Sequence, residues 1–331
     1  MDLGLFYQVF QRFLSSSAAL LAASKTVTDI FGVSQTVGVA GYVNNVFTGN
    51  GGNYLDARGV LNPNGVGNAS EMFGGTEAAN IFNALGGDDC IWGDGGKDTA
   101  YGGEGNDFID GGSGKDLIYG DAGNDMLRGG DDDDQIYGGT GNDDIYAGDG
   151  DDVIYGEAGD EDINGQNGDD QLFGGAGADR IKGQDGDDEL YGGAGVDTLT
   201  GGMGDDLFYF DQQLTDAGID SILDFAPGSD RLVLSAAIYT ALTESKIKAN
   251  QFESIAGSTS ANVIAAATKS STRITYNTSN GALAYDPDGN GSLAATQIAT
   301  LGRFNPYLPS DVASGQALFP AISRQDFIVL G

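Results

Sequence analysis

Histidine is absent from the 331 residues, and cysteine occurs once, as Cys90. Without imidazole there is no HExxH zinc helix, no Ser-His-Asp triad, no Cys-His pair and no histidine general base. A lone thiol forms no intramolecular disulfide and, without histidine, anchors no zinc site. Basic residues are also scarce: 15 Lys and Arg stand against 49 Asp and Glu, a formal charge of −34. Phosphate binding needs cationic side chains, so nucleic acid is excluded as a partner. An anionic membrane surface is disfavoured unless cations intervene. No stretch reaches the ~20 apolar residues of a membrane-spanning helix.

Glycine is abundant instead, with 56 residues, more than twice the usual share. Between residues 75 and 209 lie 36 of these glycines, and 34 acids against 5 bases. So acidic a block is compatible with a disordered tail. Its periodicity argues otherwise. In nines from Ala84 the chain reads ALGGDDCIW, GDGGKDTAY, GGEGNDFID, GGSGKDLIY, GDAGNDMLR, and onward without insertion to GGMGDDLFY at 201–209. A degenerate unit at 75–83 precedes them in phase and makes fifteen. Position 6 is Asp in thirteen of them, with Asn80 and Glu161 the exceptions, and position 8 is apolar from Phe82 to Phe208.

Glycines at positions 1, 2 and 4 predict φ > 0 and tight turns. Positions 7–9 predict three extended residues, with position 8 pointing one way and positions 7 and 9 the other. Nine residues with one buried side chain cannot fold alone, so neighbours must stack. Two units per coil give a flattened roll of 18 residues per turn, an all-β fold whose two short parallel sheets enclose the position-8 side chains. Fifteen units make a roll roughly 36 Å long at ~4.8 Å per strand. Position 9 of alternate units then stacks Tyr101, Tyr119, Tyr137, Tyr155, Phe173, Tyr191 and Tyr209 on one outer face. The other face carries Trp92, Asp110, Arg128, Tyr146, Asn164, Lys182 and Thr200. Aromatic neighbours stabilise a sheet by stacking. An exposed apolar stripe also marks a contact surface, for a flanking segment or for a flat partner such as a polysaccharide or cell surface.

The pattern GGxGxDxUx resembles the calcium-binding nonapeptide of the RTX (repeats-in-toxin, haemolysin-type) proteins. The resemblance implies a parallel β-roll with calcium between each turn and the one a full coil later, held by position-6 carboxylates and turn carbonyls. The implied ligands are Asp89, Asp98, Asp107, Asp116, Asp125, Asp134, Asp143, Asp152, Asp170, Asp179, Asp188, Asp197 and Asp206, with Glu161 weaker, for on the order of ten calcium ions. Thirteen such pairs exist, ten of them Asp–Asp. Asn80 weakens one pair, Glu161 perturbs two, and Asp132 replaces a position-4 glycine, so sites there are expected to be weak or absent. All-oxygen ligands on flexible turns suit calcium better than magnesium. The alternative is that these carboxylates only solvate turn tips. Against it, two carboxylates ~5 Å apart repel by about 0.8 kcal/mol even in water, and thirteen pairs together reach the order of a whole domain's stability. The metal-free roll is therefore expected to come apart, and calcium binding to supply folding free energy.

After Tyr209 the glycines thin out. Residues 220–235 (DSILDFAPGSDRLVLS) read as two strand-like segments around a Pro-Gly turn, and 273–288 (RITYNTSNGALAYDPD) as a hairpin turning at Asn280–Gly281. With the terminal DFIVLG, they resemble the β-rich region that follows RTX repeats in serralysin-type metalloproteases. Residues 240–266 match less well. That resemblance implies a 210–331 capping region with an uncleaved signal for type I secretion machinery, and hence a secreted, extracellular or cell-surface protein of a Gram-negative-type bacterium. Asp286, Asp288, Asn290 and Gly291 match positions 1, 3, 5 and 6 of an EF-hand loop, but position 12 is Gln297 where the bidentate Glu belongs. They are weaker metal candidates, since DPDGNG is also simply a good turn.

Residues 1–74 form a third segment. Leu5, Val9 and Phe13 recur at helical spacing, which predicts a small helix capping the roll. The apolar run at 13–24 lacks the basic lead of a cleaved signal. Residues 53–59 and 70–74 read as degenerate lead-in turns over the first coil's edge. Three functions compete: a non-enzymatic secreted calcium-binding surface, matrix or accessory protein; the tail of an RTX protease, lipase or epimerase; and a membrane-active RTX toxin. The first is expected. The only room for a catalytic part is 1–74, whose acids are Asp2, Asp29, Asp56 and Glu71, and no long hydrophobic region is present.

Overall fold

The computed structural model describes residues 71–211, 218–240, 242, 246–248, 251–255, 273–278, 280–286, 296–302 and 321–330, together with the backbone of three short strands at Lys25–Thr28, Ser34–Val37 and Phe47–Thr48. The helix expected within 1–24 lies outside the described residues.

The repeats wind into a parallel β-roll. Successive strands alternate between two sheets and pair in parallel with the strand 18 residues away: Leu127 lies beside Ile109 and Ile145, and Ile136 beside Ile118 and Ile154. Most repeat strands are about twice as long as the three residues expected, although Ile81–Asn83 keeps to three. Leu117–Ala122 and Gln135–Thr140 run from position 7 of one unit to position 3 of the next. The backbone of positions 1–3 also pairs with the neighbouring coil, as at Gly139 and Asp121. The core is a column of fully buried position-8 side chains, among them Ile109, Leu127, Ile145, Ile163, Ile181 and Leu199. It starts before the first unit, because Glu71–Thr76 is a strand that sets Phe73 beside Ile91.

The winding also continues past Tyr209. Asp220–Ile222 joins one sheet beside Thr198–Met203, and Arg231–Ser235 joins the other beside Leu207–Phe210. The two segments read from the sequence as neighbours around a Pro-Gly turn are thus consecutive half-coils on opposite sheets, with Ile222 over Leu199 and Leu232 over Phe208. Phe327–Leu330 then adds in parallel to Arg231–Ser235, burying Phe327 and Val329. On the other sheet, Thr296–Leu301 pairs with Asp220–Ile222 and leads into the hairpin of Ile274–Asn277 and Ala282–Tyr285, where Gly281 takes φ 72°. Among the described residues no helix is long and apolar enough to cross a membrane.

Candidate metal centre

From Leu85 onward every repeat turn is built on two left-handed residues, at positions 2 and 4, as at Gly103 and Gly105 (φ 103° and 141°). Position 1, expected to need glycine for the same reason, does not take positive φ. Where glycine stands there it serves space, although Ala84 and Ala147 show that a methyl group is accommodated in two coils. A Cβ on Gly102 would run into the Asp107 carboxylate and lie 2.8 Å from the Gly120 carbonyl oxygen of the next coil. Where a side chain replaces glycine at position 2, as at Asp121, Glu157 and Gln184, or at position 4, as at Asp132, it adopts a strained φ of 71–87°, a conformation that Asp and Asn tolerate better than most residues.

This backbone stacks the position-6 carboxylates into two buried rows, one on each edge of the roll. In each row the main-chain N–H of one carboxylate residue donates to Oδ1 of the Asp one coil later: Asp89 to Asp107, Asp98 to Asp116, Asp116 to Asp134 and Asp134 to Asp152, all at 2.7 Å. The contact recurs from Asn80 to Asp98 and on through Asp188 to Asp206. Among the described residues it is missing between Asp143 and Glu161, whose longer side chain does not offer its oxygen there. Glu161 still donates its own N–H to Asp179 at 3.0 Å. In the unit where Asp132 replaces the position-4 glycine, Asp134 keeps its bond to Asp152.

The second carboxylate oxygen behaves differently. Oδ2 of Asp98, Asp107, Asp116, Asp125, Asp134, Asp143, Asp152, Asp170, Asp179, Asp188 and Asp197 is buried without a hydrogen-bond partner. Except at Asp152, where position 1 is Ala147, it faces the bare Cα of the position-1 glycine, and a main-chain carbonyl of the next coil converges there in several coils: Gly120 for Asp107, Gly129 for Asp116, Gly138 for Asp125 and Gly192 for Asp179. Burying a carboxylate unpaired is costly. Desolvation accordingly pushes these groups up, opposed by the hydrogen bond each accepts: Asp107, Asp143 and Asp152 to about 6, Asp98 to about 7, and Asp125, Asp134, Asp170 and Asp206 to about 8. Glu161 is raised furthest, to about 9, by burial and then by Asp179. The described ion pairs, Lys115–Asp133 and Arg180 and Lys182 with Asp162, leave these rows untouched.

Rows of buried, unneutralised carboxylate oxygens alternating with carbonyl oxygens fit a hard, oxygen-seeking cation of calcium's kind. Among the described residues no three acidic, Cys or His side chains gather as a conventional side-chain cage, so such a cation would draw on main-chain carbonyls as well. Burial, then Asp89 and Asp107, push the Cys90 thiol up to about 12, which favours the protonated, less nucleophilic form.

Three features escaped the sequence reading. Asp220 and Asp230 extend the two rows beyond the last repeat, accepting from Asp197 N–H at 3.1 Å and Asp206 N–H at 3.4 Å. A second, exposed ladder runs at position 5 in the opposite sense, each side-chain oxygen accepting from the N–H one coil later, as from Asn124 to Asn106 and Asn142 to Asn124 (both 2.8 Å). The signal for it was visible: ten of the fifteen position-5 residues are Asp or Asn. Lastly, Asp224 accepts from the N–H groups of Gly201 and Gly202. Of the EF-hand-like candidates, Asp286 is buried at the end of the hairpin, its N–H donating to the Arg273 carbonyl. Asp288 and Asn290 lie outside the described residues.

Residues 74–109, 101–136, 110–145, 137–172 and 173–208 match the family model of the RTX calcium-binding nonapeptide repeat. No curated protein matches the chain.

Proposed function

With 74–208 an array of RTX calcium-binding nonapeptide repeats in a β-roll, we propose that this RTX-type calcium-binding protein is secreted and folds on meeting extracellular calcium. Its carboxylate rows take on the order of ten ions, and it works as a non-enzymatic surface, matrix or accessory protein exported by a type I system. The observation that carries this reading is the row of buried Oδ2 atoms without hydrogen-bond partners. Such rows repel one another at the sub-micromolar calcium of a cytosol, leaving a chain loose enough to thread through a transporter, and become ligands at millimolar calcium outside. Calcium titration followed by circular dichroism tests it. The β-sheet signal is expected to rise cooperatively with calcium, and an identical signal in excess chelator and in millimolar calcium overturns the reading.

The outer face adds a surface to this role. The seven position-9 aromatics stack with ring centroids 4.0–4.9 Å apart and planes within 5–19° of parallel. The opposite face is broken up by charge, with Arg128 lying over Phe108 and Tyr146. A flat, continuous, half-buried aromatic stripe favours a flat partner, and a polysaccharide or glycan-coated cell surface is its proposed ligand.

A further inference from the structure

The carboxylate rows do not stop where the repeats stop. The last repeat ends at Tyr209, and the 18-residue spacing ends with it, yet the chain returns after 23 residues to set Asp220 over Asp197. Asp220 occupies the place of a position-6 aspartate. Its Oδ1 accepts from the Asp197 N–H at 3.1 Å, as the Oδ1 of Asp206 accepts from Asp188 at 3.1 Å. Its strand follows the same register, with Ser221 beside Thr198 and Ile222 beside Leu199. Asp220 is only 6 % exposed, and Asp197 is fully buried. Asp197 Oδ2, facing the bare Cα of Gly192, has no hydrogen-bond partner. None of the described ion pairs offers either residue a cation.

We infer that Asp197 and Asp220 form a further divalent-cation site at the junction between the roll and its C-terminal sheet, outside the nonapeptide array. The donors are two carboxylates, hard oxygen ligands without nitrogen or sulfur, which is the chemistry of calcium. This inference rests on the calcium-loading reading of the repeats. It adds a coupling, because Asp220–Ile222 lies between the roll strand Thr198–Met203 and the cap strand Thr296–Leu301, with Asp220 paired to Ala299. An ion here ties the docking of the cap's sheet to calcium.

The test compares Asp220→Asn with Asp107→Asn, both in the full chain. Asparagine keeps an Oδ1 acceptor for the backbone N–H and removes only the charge. Calcium bound at saturation is counted by equilibrium dialysis with elemental analysis, and hydrogen exchange is followed at 296–301. D220N is expected to bind about one ion fewer than the unsubstituted protein and to lose protection of 296–301 at calcium concentrations where the repeats remain protected. D107N is expected to lose ions without selectively loosening 296–301. If D107N loses calcium and D220N does not, this site does not exist while the repeat reading stands. If neither loses calcium, the repeat reading fails as well. Should D220N fail to fold, exchange in the unsubstituted protein decides: calcium-independent protection at 220–222 and 296–301 overturns the inference, and protection that rises with calcium supports it.

Discussion

The Asp107 N–H donates to Oδ1 of Asp125 at 2.7 Å, while Oδ2 of the same Asp125 is buried without a hydrogen-bond partner. One oxygen holds the coil spacing and the other is left without a donor from the protein. The division predicts that the two roles can be separated. In Asp125→Asn the acceptor for Asp107 stays, and the new amide nitrogen stands where it can donate to the Gly138 carbonyl. In excess chelator the variant is expected to be more stable than the unsubstituted protein by about 1 kcal/mol, the scale of one or two relieved carboxylate repulsions. In calcium it is expected to need a higher concentration to fold. Urea midpoints in chelator and calcium midpoints by circular dichroism measure the two effects. A loss of stability in both conditions would show that the carboxylate is structural and not a ligand.

Acid acts on the same groups. Asp98 stands at about 7, and Asp125, Asp134 and Asp170 at about 8 in the folded chain, against about 3.9 when unfolded. A carboxyl raised by folding binds its proton more tightly in the folded state. The metal-free roll therefore gains stability as pH falls from 8 towards about 4, and the gain levels off below the unfolded value, where both states are protonated. In chelator the β-sheet signal is expected to grow between pH 8 and pH 5, still above the sequence pI of 4.1. Protons and calcium compete for the same oxygens, so the calcium midpoint is expected to rise over that interval. A metal-free signal that shrinks on acidification contradicts the burial of these carboxylates.

Much of this was legible because one fixed position in every nine is apolar and another is acidic in all units but the first. The pairing of Leu127 with Ile145 across 18 residues is that period made physical. What the period could not show was anything that departs from it. Asp220 and Asp230 follow spacings of 23 and 24, since longer connections replace the nonapeptide turn. A motif of fixed length cannot find a carboxylate whose neighbour is defined by stacking. The role of the position-1 glycine was misjudged because glycine answers two needs, positive φ and absent volume, and only the close approach of Asp107 to Gly102 tells them apart.

Glu161 marks the one break in its row, where Asp143 finds no acceptor one coil on. Shortening the side chain by one methylene in Glu161→Asp is expected to restore the Asp143 bond and strengthen the two adjoining pairs. The calcium midpoint should fall and bound calcium should rise by up to about one ion. An unchanged midpoint and ion count would place the irregularity outside the binding array.

Export is expected to depend on the C-terminus and not on the apolar run at 13–24. Deleting 325–331 should abolish secretion by a co-expressed type I system, whereas deleting 1–24 should leave it unchanged. The structure adds a cost to the first deletion, because Phe327 and Val329 are buried beside Leu232 and Leu234. Burial of side chains of this size contributes about 1.5–3 kcal/mol each, so the purified deletion variant is expected to fold with calcium but to melt earlier. Retained secretion after the C-terminal deletion, with loss after the N-terminal one, reverses the assignment.

The aromatic ladder separates stability from recognition. Tyr119, Tyr137 and Tyr155 sit in its middle with centroids 4.8–4.9 Å apart, the spacing of parallel strands. Stacking alone accounts for the geometry and contributes roughly 0.5–1 kcal/mol per pair. It leaves unexplained why the opposite sheet, with the same strand spacing, carries Asp110, Arg128, Asn164 and Lys182 at the equivalent position. Replacing the three tyrosines with threonine keeps strand propensity, so calcium-dependent folding is expected to survive with a lower melting temperature. Retention on polysaccharide and on glycan-coated cells is expected to drop at least tenfold. Solvent-accessibility labelling of the unsubstituted protein should find these tyrosines reactive alone and protected when the glycan is bound. Wild-type retention by the triple variant, with labelling unaffected by glycan, would reduce the ladder to sheet stacking.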